Sequence, residues 1–155
     1  MILIDTDIFV IDRRYFRDAK FQVNRKFLDY LMSNGIDRTT TIFNLYELCG
    51  IMSFNLSKQQ VQNLFMGFES IYGLKIIQPS LGNKTAEEAF DRLLADTMRI
   101  ILEKVAFLDA LVISTAESVP NIDYLITWNA KHFLKKTKLT AQTPEDYLIA
   151  EGVPI

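Results

Sequence analysis

The chain has 155 residues, 49% of them hydrophobic and 23% charged, with a formal net charge of −2 and a pI near 5.4. That length is one ordinary domain, read as residues 1–155, and the balance excludes a disordered chain. The mild acidity excludes nucleic-acid binding by global charge, so any such contact needs a local basic surface.

One cysteine, Cys49, rules out an internal disulfide and any zinc pattern built on thiols, so it reads as a small buried side chain. The start, MILIDTDIFVIDRR, is interrupted at once by carboxylates and lacks a basic leader, so no signal peptide is expected. No run reaches the roughly 18 apolar residues of a membrane span. A reduced, cytoplasmic setting with no membrane partner is expected.

In chain order, Met1 to Ile4 form a short apolar run ending at Asp5, the pattern of a strand buried on both faces. Phe16–Ser33 has helical spacing and stops at Asn34-Gly35. Thr39–Thr41 offer N-caps for a helix to about Met52. Ser57 with Gln60 makes a capping box for a helix from Lys58 to about Ile71. Leu74–Ile77 reads as a second strand. Thr85 with Glu88 opens a helix to about Lys104, and Phe107–Glu117 is helical again. Tyr124–Thr127 is a third strand, followed by a turn at Trp128-Asn129. Thr143 then caps a last helix with Pro144 in its first position. Strands alternating with helices predict an α/β fold with a parallel sheet covered on both faces. Ligands of such sheets sit beyond the carboxyl ends of the strands.

Three acids stand out against this frame. Asp5 ends the first strand and so faces the expected crevice; an N-cap role is its plainer alternative. Glu47 lies among Phe43, Asn44, Gly50 and Ile51, where an unpaired charge is costly, although a surface glutamate can snorkel. Asp109 has Val105, Ala106, Val112 and Ile113 one turn away, or else serves as a helix-start acid. Asp96 sits near Arg92 and Arg99, a surface ion pair. Glu117 falls two turns after Asp109, close to its face, as a candidate support for the site. Asp123 begins a strand and points away. The acids together make an all-oxygen donor set suited to Mg²⁺ or Mn²⁺ rather than zinc, with the lone His132 read as structural. Crowded carboxylates repel, so at least one should have a raised pKa without metal.

Five segments carry a resemblance. Ile2-Leu3-Ile4-Asp5-Thr6-Asp7, Thr41 to Leu48 with its Glu47, Asp109 to Ala116, Leu125 to Phe133 and Thr143 to Leu148 occur in the order and spacing of the PIN-domain motifs. The chain resembles PIN-domain ribonucleases, and among them VapC-type toxins, from Asp5 to Leu148. The resemblance implies a PIN-like three-layer α/β/α fold with a short central parallel sheet. It implies a metal-dependent endoribonuclease with catalytic residues Asp5, Glu47, Asp109, Asn129 and Thr127. Metal ligation falls to Asp5, Glu47 and Asp109, and Thr6 matches a residue that can touch the metal shell. Asn129 stands where many members have aspartate and so brings no charge. The resemblance also implies a homodimer and an antitoxin partner.

RNA as substrate needs cations beside the acids. Arg13, Arg14, Arg17, Lys20, Arg25 and Lys26 follow the first motif, and Lys131, Lys135, Lys136 and Lys138 follow the fourth. Tyr15, Phe16 and Trp128 lie near them and suit core packing or base stacking. Phe54–Tyr72 carries more apolar residues than one helix face can bury, which predicts an exposed stripe for a second copy or a partner. Two rivals remain. Asp5-Thr6-Asp7 resembles the opening of haloacid-dehalogenase phosphatases, without a convincing later lysine and acidic pair. A catalytically silent PIN-like RNA- or protein-binding module is the other, kept open by Asn129.

Overall fold

The computed structural model describes residues 1–155. Five short strands, β1 (Ile2–Ile4), β2 (Arg38–Thr41), β3 (Lys75–Ile77), β4 (Tyr124–Ile126) and β5 (Thr140–Gln142), form one all-parallel sheet in the order β3-β2-β1-β4-β5. Eight helices connect and cover them: α1 (Thr6–Arg14), α2 (Phe21–Ser33), α3 (Ile42–Ser53), α4 (Lys58–Tyr72), α5 (Ala86–Ile101), α6 (Phe107–Glu117), α7 (Ala130–Phe133) and α8 (Pro144–Ala150). The expected α/β/α layering with a short parallel sheet is what the chain forms.

The period-two alternation of β1 divides the core. Ile2 and Ile4 pack with α1, α2, α3, α4 and α8 through Phe9, Phe27, Leu45, Phe68 and Leu148. Leu3 packs on the other face with Ile100 of α5, Val112 and Ile113 of α6, and Phe133 of α7. The chain runs outward through β1, β2 and β3, then crosses back to β4 beside β1. The strand order therefore reverses at β1 and β4, where crevices open in such sheets.

Four segments differ from expectation. Asp5 caps a helix over Thr6–Arg14 that the β-branched Ile8, Val10 and Ile11 do not advertise. Arg38–Thr41 are wholly buried as β2, because the threonine hydroxyls satisfy themselves on neighbouring carbonyls: Thr39 Oγ1 donates to Lys75 O at 2.7 Å and Thr40 Oγ1 to Ile4 O at 2.8 Å. Thr41 is the one member of the triplet that caps α3. β5 and α7 follow β4 where a plain turn is expected. Boundaries also shift. α2 begins at Phe21, with Phe16 packed edge-on against it, and α5 ends at Ile101, before Lys104 turns left-handed at φ 62°.

Candidate functional site

Sheet register assembles the site. Ile4 pairs with Ile126 and Leu3 with Thr39, so Asp5 comes level with Thr127, one residue on, and with Thr41, two residues on, at the carboxyl edge. Asp5 is both the N-cap of α1 and a crevice acid. Its Oδ1 accepts from Thr6 N at 2.8 Å and from Asn44 Nδ2 at 3.0 Å. Asn44, fully buried in the first turn of α3, also donates to Thr6 Oγ1, and its Oδ1 accepts from Thr41. One amide thus ties the ends of β1 and β2 together.

Asp7, in the first turn of α1, is the second acid of the edge. Its Oδ2 accepts from Thr127 Oγ1 and from Trp128 N, each at 2.9 Å. Its Oδ1 is buried with no partner. Thr127 Oγ1 in turn accepts from Asn129 N at 3.1 Å. Trp128 Nε1 donates to Asn24 Oδ1, and the Lys20 ammonium lies over the indole, 5.2 Å from the ring centroid.

The electrostatics follow from this crowding. Burial, then the neighbouring Asp7 charge, raises the Asp5 pKa well above the carboxylate range, with Asp109 adding to the push. Burial likewise raises Asp7, against its bonds to Thr127 and Trp128 and the charge of Lys20. Asp109, half-buried in the first turn of α6, is raised by burial and held back by His132. These directions are those of like charges drawn together out of water.

Asp5, Thr6, Asp7, Asn44 and Thr127 therefore form one set at the edge, and the charge of Asp109 acts on Asp5. Glu47 is half-buried in mid-α3, one turn after Asn44, and makes no ion pair or hydrogen bond. No three His, Cys, Asp or Glu side chains form a ready-made metal cage. Asn129 is exposed and enters only through its backbone N–H. The Glu117 side chain is buried and engaged by Arg99, Thr137 and Lys138. Asp96 pairs with Arg92 and not Arg99. Asp123 holds the N-terminal ammonium. His132 packs edge-on against Phe133. The sequence signal for Asp7 was the Asp-x-Asp spacing itself, which places both acids on one capped first turn.

The donor set fits a hard divalent cation. It is all oxygen, its pKa values are raised by burial and, at Asp5, also by the charges of Asp7 and Asp109, a cost that a cation relieves, and Asp7 Oδ1 is an unused buried acceptor. Three converged acids are not required, because Mg²⁺ keeps several waters and takes only one or two carboxylates.

No protein-family model matches the sequence, and no curated protein matches it. Solved structures do match. VapBC2 from Rickettsia felis, bound to a promoter DNA fragment, aligns at TM-score 0.62 and 23% identity over 92% of this chain and 98% of its own. VapBC-1 from nontypeable Haemophilus influenzae aligns at 0.63 and 18%, over 94% and 99%. FitAcB from Neisseria gonorrhoeae aligns at 0.62 and 15%, over 94% and 99%. The chain has a PIN-like fold. At these identities the likeness is one of fold, and it spans nearly the whole chain. The PIN-like sheet supplies the edge at β1 and β4 on which the acids stand. No helix is long and apolar enough to cross a membrane.

Proposed function

We propose that this protein is a metal-dependent endoribonuclease that hydrolyses RNA phosphodiester bonds, and that it is the toxin of a toxin–antitoxin pair in the cytoplasm. The reading rests on one observation above all: Asp5 and Asp7 share a crevice edge, each pKa raised by burial, with Asp7 Oδ1 left without a partner. A fold does not need such a pair, because buried like charges cost stability.

We assign cation binding, Mg²⁺ or Mn²⁺, to Asp5 and Asp109, with Asp7 beside them and Glu47 as a further ligand, direct or through water. A bound cation supplies Lewis acidity and a water of lowered pKa. The chain's own groups do the positioning. Asn44 fixes the Asp5 carboxylate and Thr127 fixes that of Asp7. Without metal the raised pair retains a proton, and ligands must lose theirs on loading. Asn129 holds Thr127 from the chain side and leaves the fourth position uncharged.

The antitoxin and a homodimer are part of the proposal. The solved neighbours are two-component complexes. Phe54 and Met66 are 87% and 82% exposed, the apolar surface that a protein partner covers.

The test is cleavage of a structured RNA pool by the purified protein with Mg²⁺, with Mn²⁺ and with chelator, beside Asp5→Ala. Metal-dependent cleavage lost in the variant supports the nuclease. Absence of cleavage with either metal overturns it and favours the silent binding module.

A further inference from the structure

The acidic edge repels the phosphate it is proposed to cut, so a cation of the chain must stand beside it. Half of the ten basic residues near the first and fourth motifs are committed elsewhere, and of the other five only Lys20 has a charge that acts on an acid of the site. Arg13 Nε donates to Tyr72 Oη, and Arg25 pairs with Asp12 and Asp29. Lys26 bonds Pro154 O, Lys136 bonds Lys104 O, and Lys138 pairs with Glu117. The Lys20 ammonium makes no ion pair and no hydrogen bond. It rests over the Trp128 ring, 5.2 Å from the centroid, and its charge acts on Asp7. The Trp128 ring is itself fixed, through Nε1 on Asn24 and through packing on the core, and its backbone N–H bonds Asp7. Lys20 is thus an exposed, unspent cation parked on a rigid platform one residue away from the acidic pair.

We propose that Lys20 is the phosphate-binding residue of the site: it leaves the Trp128 face to hold an RNA backbone phosphate next to the scissile one. This rests on the ribonuclease reading above. Cation–π attraction at an exposed site is weaker than a charge-assisted bond to phosphate. The exchange is therefore downhill, and the resting contact keeps the ammonium in place without trapping it. Lys20 suits removal, because as the N-cap of α2 its side chain makes no capping bond.

The experiment uses a 12-nucleotide oligouridylate with chelator present and Asp5→Asn as the uncut parent, read by anisotropy across a salt series. Lys20→Met keeps the stem on the indole and removes the charge. It should weaken binding several-fold and make the slope of log K against log salt shallower by about 0.7, one single-strand contact. Lys20→Arg should restore both. Trp128 is the only tryptophan, so its emission should change on RNA addition in the parent and not in Lys20→Met. Equal slopes in parent and Lys20→Met overturn this proposal and leave the nuclease standing. No oligouridylate binding by the parent overturns both.

Discussion

The Thr127 hydroxyl donates to Asp7 Oδ2 at 2.9 Å, joining the end of β4 to the first turn of α1 across 120 residues. It also accepts the Asn129 N–H, so one oxygen sets both an acid and the turn that follows it. Thr127 is wholly buried. Thr127→Val keeps shape but leaves a buried carboxylate oxygen and an amide short of partners. It is expected to cost about 1–3 kcal/mol of stability, measured by urea unfolding. Cleavage should fall more than stability alone explains, whereas Thr127→Ser should keep most of both.

The raised carboxyls set a pH dependence of stability. Below 3.8, the ordinary aspartate value, folded and unfolded chains both carry the protons and the repulsion is absent. As pH rises past 3.8 the unfolded chain ionises first, and stability falls until the folded pair has ionised as well. In chelator the melting temperature should therefore decline from mildly acidic pH through neutrality, against any opposing carboxylate trend elsewhere. Asp5→Asn should flatten the decline. Added Mg²⁺ or Mn²⁺ should restore the loss most at the alkaline end, where the ligands are charged. A metal effect independent of pH, or absent, contradicts the assignment of cation binding to this edge.

Much of the molecule was legible in the sequence because its signals were local. The capping boxes at Ser57, Thr85 and Thr143 open α4, α5 and α8 where the side chains alone say they do. β2 was not legible. Arg38-Thr39-Thr40-Thr41 is polar, and only the carbonyls of β1 and β3, distant in sequence, make its burial affordable. Asp5 shows why two readings of an acid can both hold: it caps α1 and it stands in the crevice. Asp7 stands out only through its Asp-x-Asp spacing, and its bond to Thr127, 120 residues away, is one no local pattern reveals.

Glu117 separates stability from function. Its buried carboxylate accepts from Arg99, Thr137 Oγ1 and Lys138 N, which ties α6 to α5 and to the segment before β5. Glu117→Ala strands these donors, though Arg99 is half exposed and recovers water. A loss of about 1–3 kcal/mol is expected. Metal affinity and cleavage per folded molecule should not change. A selective loss of metal binding would make Glu117 a support of the site at Asp109.

Gly73 closes α4 in the left-handed region at φ 56°, and a Cβ there would stand 2.5 Å from Arg38 Nη2. That guanidinium cannot step aside freely, because it donates to Tyr72 O, Leu31 O and Ile36 O. Gly73→Ala should destabilise by more than about 1 kcal/mol, read by thermal unfolding. Gly35→Ala, also left-handed but with open space around it, should cost less.

Asn129 tests whether the fourth position is short of a charge. Its side chain is exposed and unbonded, while its N–H holds Thr127. Asn129→Asp keeps the backbone contact and adds a carboxylate beside the acidic edge. More ligand charge tightens hard-cation sites, and one further repelling acid destabilises them when empty. Titration calorimetry with Mn²⁺ should show affinity rising about tenfold, while the melting temperature in chelator falls. Both changes must appear together, because each comes from the same added charge. Unchanged affinity alongside a lower melting temperature would place position 129 outside the cation's reach, and the silent binding module would lose the feature that favours it.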